Sequence, residues 1–177
     1  MYAIVGILDE QSDRSVRKIW QALKKKGFSD YAFQKKNMFP HVTLASFEAC
    51  DLPSLRAAMD RLVSSHFPLS LNASAIGSFL GTNIITLNPI KTVELSQFHA
   101  EIYQKLAGYV NENSLYAPVN WVPHLTLANR VDETTFLPAY NYCLKEVAPF
   151  SGQLVGLRII QLDENQEIEV ICQISSE

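Results

Sequence analysis

The chain carries the same short segment twice, at residues 40–45 (PHVTLA) and at residues 123–128 (PHLTLA). The two segments agree at five of six positions, and Phe67 and Phe150 each lie 26 residues after the histidine of their own copy. Chance seldom produces such agreement, so it indicates an internal duplication. The duplication constrains the chain to a fold assembled from two similar halves.

The order of the predicted secondary structure elements repeats in the same way. Residues 2–8 are rich in β-forming side chains and predict a strand. Apolar residues then recur at helical spacing, between a cap at Ser12 and Asp13 and a stop at Gly27. The remaining predictions are strands at residues 40–47, 67–79, 83–87, 123–129, 153–162 and 167–174, a turn at residues 163–166, and helices that begin at Asp51 with Pro53 in the first turn, at Thr92 with an end near Asn111, and at Asp132.

The apolar faces of the predicted helices define the expected core. The element order is β-α-β-α-β-β followed by α-β-α-β-β, so the second half copies the first without its opening strand. This order of elements predicts a single α/β (α+β) domain over residues 1–177, with the internal repeat at about residues 40–89 and 123–174. The side chains expected to face inward are Val16, Ile19, Trp20, Leu23, Leu55, Met59, Leu62, Val63, Leu95, Phe98, Ile102, Leu106, Tyr109, Phe136, Tyr140, Cys143, Leu144 and Val147.

Composition excludes several classes of protein. With 47% hydrophobic and 19% charged residues, the chain is expected to be globular rather than disordered. Its apolar start lacks a basic segment and runs into Asp9 and Glu10, so it predicts a strand rather than a signal peptide, and no apolar run reaches the roughly 18 residues of a membrane span. Three cysteines without CxxC spacing argue against disulfides and a cysteine zinc site. We therefore expect a cytoplasmic protein without a membrane partner.

The charges are unevenly distributed along the chain. The net charge of −3 argues against nonspecific coating of long nucleic acids. Residues 1–40 nevertheless hold eight Lys or Arg against four Asp or Glu, whereas the last seventeen residues hold five acids and no base. This excess of positive charge is typical either of solvated helices and loops or of a local attraction for phosphate.

The repeated segment places two polar side chains on one face of a strand. In a strand, residues i and i+2 point to the same side, so His41 and Thr43 emerge together while Val42 faces the core. The same alternation holds for His124 and Thr126. One His-x-Thr tripeptide is a weak signal, but two copies in matching context favour a catalytic role. If the halves pack about a pseudo-twofold axis, all four side chains converge on one groove.

Two facing imidazoles suit phosphoester chemistry near neutral pH. A histidine has an ordinary pKa of about 6.5, so one ring can accept a proton from an attacking water or hydroxyl while the other protonates the departing oxygen. The threonine hydroxyls can donate to the non-bridging phosphate oxygens, which gain charge in the transition state. This chemistry requires no metal and no cofactor. The sequence does not decide which histidine begins as the base.

The paired motifs, at residues 40–44 and 123–127, resemble the h-H-x-T-x pattern of the two-histidine (2H) phosphoesterase superfamily. Within it, the chain is most similar to the bacterial 2′-5′ RNA ligase-like proteins, over nearly its whole length. The resemblance implies a bilobal α/β fold, with a mostly antiparallel sheet in each lobe, helices on the outer faces and a central groove. It also implies cleavage or formation of 2′,3′-cyclic or 2′-5′ phosphodiesters at RNA ends or on nucleotides. It further implies that His41 and His124 are the acid–base pair and that Thr43 and Thr126 hold the phosphate.

Members of this family often add aromatic or basic side chains that hold a base or a second phosphate. Each candidate for that role also has an alternative place in the core, in packing or on the surface. His66 and His99 lack a threonine two residues on and are expected to be structural or exposed. The candidates for substrate binding are Tyr31, Phe33, Lys35, Lys36, Phe47, Trp121 and Arg130.

Other interpretations of the motifs stay open. The chain is expected to take a nucleotide or an RNA end as its partner, with no obligate protein partner. A duplicated module could bind such a ligand without turnover, although the net negative charge counts against it. The reaction could also run in the direction of RNA ligation. A metallohydrolase using His41 and His124 as ligands is disfavoured, because zinc usually takes three or four protein ligands.

Overall fold

A computed structural model describes residues 1–111, 113–162 and 167–175. The predicted turn at residues 163–166 lies outside the described residues. The elements alternate between strands and helices, which confirms the α/β class. In chain order they are β1 (Tyr2–Leu8), α1 (Glu10–Lys25), a 3₁₀ turn (Tyr31–Phe33), β2 (His41–Phe47), α2 (Leu52–His66), β3 (Leu69–Gly77), β4 (Ile85–Pro89), α3 (Val93–Lys105), β5 (Leu125–Ala128), α4 (Glu133–Glu146), β6 (Phe150–Leu162) and β7 (Ile168–Ser175).

The described strands form one antiparallel sheet of seven strands, in the order β2-β1-β6-β3-β4-β5, with β7 also paired to β6. The resemblance led us to expect a separate sheet in each lobe. The two parts are instead continuous through β6, whose 13 residues pair with β3 at one end (150–154) and with β1 at the other (154–161). The two-lobed description, with its repeat at residues 40–89 and 123–174, stays a prediction.

Helices from one half of the chain cover motif strands from the other half. Helix α1 contacts β5, and helix α3 contacts β2. Trp20 of α1 is 5% exposed and belongs to the main core together with Leu44 of β2 and Leu127 of β5. Because each motif strand packs on a distant helix, the two motifs are positioned by the whole fold rather than by their own neighbours.

A smaller apolar cluster lies on the opposite face of the sheet from the main core. On β1, Ile4 belongs to the main core while Val5 belongs to the smaller cluster. This alternation buries both faces of β1. Phe39 joins the smaller cluster just before β2 begins, and so carries this packing up to the first motif.

Several predicted boundaries are corrected by the structure. Helix α1 begins one turn earlier than expected, because the Asp9 carboxylate, not Ser12 or Asp13, accepts the capping bond from the Ser12 N–H at 2.9 Å. Helix α3 ends at Lys105 rather than near Asn111, and Gly108, with a φ of 87°, turns the chain away.

The expected core is confirmed except at the helix margins. The predicted inward residues of α2 are all buried. Thr92 caps α3 as predicted, with its hydroxyl accepting from the Leu95 N–H. Two inward predictions are wrong: Tyr109 lies beyond the end of α3 and is 47% exposed, and Leu144 is 52% exposed on α4. The predicted hairpin is confirmed, since β3 pairs with β4. Each of these two strands begins two residues later than predicted.

None of the helices in the described ranges combines the length and the apolar character needed to cross a lipid bilayer.

Candidate active site

The two motif strands present their polar side chains in the predicted alternation. His41 opens β2 and His124 directly precedes β5, and the two strands lie in contact. Val42 and Leu44 are fully buried behind the first motif, as are the leucines at 125 and 127 behind the second, each 1% exposed. The two histidines and their threonines are half-buried. The structure therefore brings both motifs to one region of the surface.

Each motif histidine is held by a carbonyl two residues earlier in the chain. The Nδ1 atom of His41 lies 2.8 Å from the carbonyl oxygen of Phe39, and Nδ1 of His124 lies 2.8 Å from that of Val122. A carbonyl oxygen can only accept, so the neutral imidazole carries its hydrogen on Nδ1 in both rings. The Nε2 atom of each ring is then left as a free acceptor for a proton.

Burial makes both imidazoles harder to protonate. Burial lowers the pKa of His41 below its ordinary range, the Phe39 carbonyl opposes the shift, and the positive charges of His124 and Arg158 lower this pKa further. Burial also lowers the pKa of His124, against the opposing effect of the Val122 carbonyl. A proton on one ring therefore disfavours a proton on the other. Both are therefore neutral in the free protein at pH 7.

The threonine of the first motif lies beside two aromatic residues from the loop before the second motif. The indole Nε1 of Trp121 donates to the Thr43 carbonyl oxygen at 3.0 Å. Thr43 and Tyr116 line the same cavity. The backbone of this threonine is thus fixed from the other half of the chain.

The backbone of the second-motif threonine is held in the same way from the first half. The indole Nε1 of Trp20 donates to the Thr126 carbonyl oxygen at 3.0 Å. Tyr31 also packs edge-on against Trp20, with ring centroids 6.2 Å apart. Burial raises the pKa of both tyrosines, Tyr31 and Tyr116, so each keeps its proton near neutral pH.

Two open cavities flank the histidines, and Tyr116 lines both of them. The cavity at His41 has a volume of about 300 Å³ and the cavity at His124 about 290 Å³. The first is lined by His41, Thr43, Tyr31, Tyr116, Lys35 and Arg130 together with Asn129, Gln34, Ser46 and apolar residues of the smaller cluster. The second is lined by His124, Phe79, Thr82, Ile84, Leu115, Tyr116, Asn120, Trp121 and Val122.

Three of the predicted binding residues reach the cavity at His41. These are Tyr31, Lys35 and Arg130, the last with a left-handed backbone at φ 55°. Trp121 contributes to the cavity at His124, but it is only 2% exposed and acts through its indole N–H.

The other three predicted binding residues lie elsewhere. Phe33 is exposed beneath the Lys24 ammonium, 4.2 Å from the ring centroid, and lies outside the lining of both cavities. Lys36 is exposed and lines neither cavity. Phe47 is buried in the main core, where it stacks on Tyr2, and this burial removes it from contact with any substrate.

Sequence reasoning missed several residues at the histidines. Phe39 packs on the His41 ring with centroids 5.1 Å apart, and Phe79 packs edge-on against His124 at 4.9 Å. The Arg158 guanidinium lies 4.3 Å from the Phe39 ring centroid. A lone arginine within the apolar run LVGLRII was a usable signal. Tyr116, in contrast, sits in an irregular loop where no periodicity marks it.

His99 and His66 lie outside the catalytic arrangement, as expected. His99 is 1% exposed, stacks flat on Trp121 at 3.8 Å, and has its Nε2 2.8 Å from the Leu44 carbonyl oxygen. Burial lowers its pKa to about 4. The Nε2 atom of His66 lies 3.2 Å from the Glu101 carboxylate. Among the residues that the structure describes, no three His, Cys, Asp or Glu side chains cluster as metal ligands would.

Comparisons with known proteins identify the family and the fold. Residues 9–166 match the family model described as the 2′-5′ RNA ligase superfamily. No curated protein matches the chain in sequence. In structure it is similar to E. coli LigT complexed with 3′-AMP, with a TM-score of 0.58, 14% identity and coverage of 98% of this chain and 96% of that one. It is also similar to TT0787 of Thermus thermophilus, with a TM-score of 0.66, 16% identity and the same coverage.

At these identities the solved structures show a shared fold and no more. The family match, in contrast, extends over most of the 177 residues and contains both His-x-Thr motifs. The chain therefore belongs to the 2′-5′ RNA ligase superfamily, the two-histidine phosphoesterases.

Proposed function

We propose that this protein is a metal-independent phosphodiesterase that acts on 2′,3′-cyclic or 2′-5′ phosphodiester bonds of nucleotides or RNA ends. The observation that carries the proposal is the matched pair of histidines, each with Nδ1 held by a carbonyl and Nε2 left to exchange a proton. Membership of the superfamily supports this class of reaction. The LigT structures complexed with 3′-AMP and with NADP⁺ support a nucleotide as the substrate class.

The proposed reaction uses the two rings in opposite roles. One Nε2 accepts the proton of the attacking water as the new P–O bond forms, and the other ring delivers a proton to the departing oxygen as the old P–O bond breaks. Because both rings are neutral in the free protein, one must gain a proton when the substrate binds. The negative charge of the phosphodiester favours that protonation, since an anion nearby raises the pKa of an imidazole.

The surrounding groups stabilise the charge that develops on the phosphate. The hydroxyls of Thr43 and Thr126 are the proposed donors to its non-bridging oxygens, and such prearranged donors are commonly worth a few kcal/mol each. Lys35 and Arg130, which line the cavity at His41, supply positive charge on the same side. Together they hold the phosphodiester between the rings.

Replacing either histidine tests the proposal directly. His41→Ala and His124→Ala are each expected to lower turnover of 2′,3′-cyclic nucleotides or 2′-5′ dinucleotides by about 10²–10⁴-fold, because each removes one proton transfer. The wild-type rate should follow a bell-shaped pH profile and should not change with a chelator. His66→Ala, at a side chain that contacts Glu101 away from the motifs, is the matched control and should keep full activity.

The same assay separates the alternatives. Retention of most activity in either motif variant would contradict acid–base catalysis by this pair. Loss of activity with a chelator and its return with a metal ion would favour a metallohydrolase. Tight binding of nucleotide without product would indicate a binding protein. The family is named after RNA ligation, so the assay should also contain RNA ends with a 2′,3′-cyclic phosphate and a 5′-hydroxyl. A joined product formed from these ends would reveal ligation.

A further inference from the structure

The chain contains two tryptophans, and both donate their indole N–H to the carbonyl oxygen of a motif threonine. Trp20 of α1 donates to Thr126 of β5, and Trp121, three residues before His124, donates to Thr43 of β2, each at 3.0 Å. Each bond runs from one half of the chain to the motif of the other half. The two contacts therefore join the same kinds of atom at equivalent positions of the repeat.

Each of these threonine carbonyls adjoins an extra residue in its strand. In the register of β2 with β1, Leu44 has no counterpart on the partner strand, and in the register of β5 with β4 the same holds for Leu127. In both strands this leucine and the alanine after it are buried, so the alternation of inward and outward side chains changes phase there. Both motif strands thus contain a β-bulge directly after the threonine.

The bulges make the motif backbone depend on contacts outside the sheet. A bulge interrupts the ladder of hydrogen bonds and changes the direction in which neighbouring side chains point. The peptide group between each threonine and its leucine is the one whose oxygen accepts the indole N–H. The orientation of this peptide group helps to set the direction of the threonine side chain and of the histidine two residues before it.

Both indoles are themselves fixed by their surroundings. Trp20 is buried, and Tyr31 packs edge-on against it with ring centroids 6.2 Å apart. Trp121 is buried and stacks flat on His99, whose Nε2 lies 2.8 Å from the carbonyl oxygen of the bulge residue Leu44. A buried indole N–H usually finds some acceptor, but that requirement alone does not select the same carbonyl in both motifs.

We propose that Trp20 and Trp121 are positioning residues, whose indole N–H groups hold the bulged backbone of the motifs so that the histidine and threonine side chains meet the reacting phosphodiester in productive geometry. This inference rests on the proposed function. Trp20 acts on the second motif and Trp121 acts on the first. Because a small displacement of a positioned group costs a large factor in rate, the effect falls on the chemical step.

Replacing the indole N–H by sulfur tests the proposal with the packing preserved. In the variants Trp20→benzothienylalanine and Trp121→benzothienylalanine, the ring keeps its shape and loses its donor. Each is expected to lower kcat for 2′,3′-cyclic nucleotides by about 10-fold, measured well below the melting temperature, with KM changed by less than about 2-fold. Full kcat in both variants would overturn the proposal.

The matched control removes a side-chain donor to a backbone carbonyl away from the motifs. Tyr140 of α4 donates to the Ile76 carbonyl oxygen at 3.1 Å and lines neither cavity beside the histidines. Tyr140→Phe should therefore lower the melting temperature and leave kcat unchanged. The same result in both tryptophan variants would show that the indole bonds stabilise the fold without positioning the motifs, and would overturn the inference.

A second measurement does not depend on activity. The NMR signals of the imidazole C–H and threonine methyl groups report the local geometry of each motif in the free protein. Trp20→benzothienylalanine should shift the signals of the second motif and leave those of the first in place, and Trp121→benzothienylalanine should do the reverse. Shifts at neither motif, or equal shifts at both, would overturn the assignment of one tryptophan to each motif.

The two proposals can fail separately. A wild-type enzyme that needs both histidines, combined with tryptophan variants of full kcat, would overturn the positioning role and support the proposed function. A wild-type protein that turns over neither 2′,3′-cyclic nucleotides nor 2′-5′ dinucleotides would overturn the proposed function and, with it, a positioning role in that reaction.

Discussion

At the scale of single residues, Arg158 gives the two motif histidines different electrostatic surroundings. Its guanidinium lies 4.3 Å from the centre of the Phe39 ring, which in turn packs on His41, and its charge lowers the pKa of His41. His124 has no such neighbour among the causes that shift its pKa. We therefore expect His41 to be the ring that stays neutral and serves as the base, with His124 as the acid.

Replacement of Arg158 tests this assignment through the pH profile. Removing a positive charge raises the pKa of a neighbouring imidazole, so Arg158→Gln should raise the pKa of His41. If His41 is the base, it is active when unprotonated, and the acidic limb of kcat/KM should move to higher pH. Arg158→Lys keeps the charge and should leave the limb in place. Movement of the alkaline limb instead would assign His41 as the acid.

The residues that the sequence revealed are those with a local signal. His41 and Thr43 were predictable because strand alternation fixes their common face, and the second copy reinforced the signal. Tyr116 was not predictable, because its position between the two cavities depends on the whole fold, and its own loop has no periodicity. Phe47 was assigned to the site from its residue type alone, whereas the alternation of β2 buries it in the core.

At the scale of elements, α4 contains a proline, Pro138, that is expected to lower the stability of the helix. Pro138 lies on the exposed side within the helix and lacks the N–H that the helical ladder requires. An interior proline costs about 3 kcal/mol relative to alanine, while its stiffening of the unfolded chain offsets about 0.4–1 kcal/mol. Pro138→Ala is therefore expected to raise the free energy of unfolding by about 2–2.6 kcal/mol, measured in urea, with kcat unchanged. A lower stability would mean that the ring makes contacts that the helix depends on.

Element boundaries followed local chemistry only in part. The Thr92 cap and the buried face of α2 were predictable from short-range spacing. The true start of α1 was not, because Asp9 is fixed as the cap partly by its additional bond from the Gln153 N–H, 144 residues away. The continuity of the sheet through β6 depends likewise on pairing with β1 and β3, which are far apart in sequence.

At the scale of the whole molecule, the charge distribution predicts how much of an RNA strand the proposed enzyme would contact. The chain as a whole carries a net charge of −3, yet Lys35 and Arg130 line the cavity beside His41. Under the proposed function, the local positive charge would bind the phosphates at the end of an RNA strand, and the net negative charge of the protein would repel the rest of that strand. Two phosphate contacts on a single strand predict a slope of about −1.4 when log(kcat/KM) for a short RNA is plotted against log salt concentration.

The charge-neutralising variants Lys35→Gln and Arg130→Gln should each reduce that slope to about −0.7, because each removes one counterion-releasing contact. Lys25→Gln is the matched control, since Lys25 is exposed at the end of α1 and does not line the cavity at His41. The measurement is kcat/KM over a range of salt concentrations with an RNA oligomer that ends in a 2′,3′-cyclic phosphate. A wild-type slope of about −4 or steeper would show that the protein contacts phosphates of the RNA strand well beyond its end. An equal change in the Lys25→Gln variant would attribute the effect to net charge rather than to contacts in the cavity.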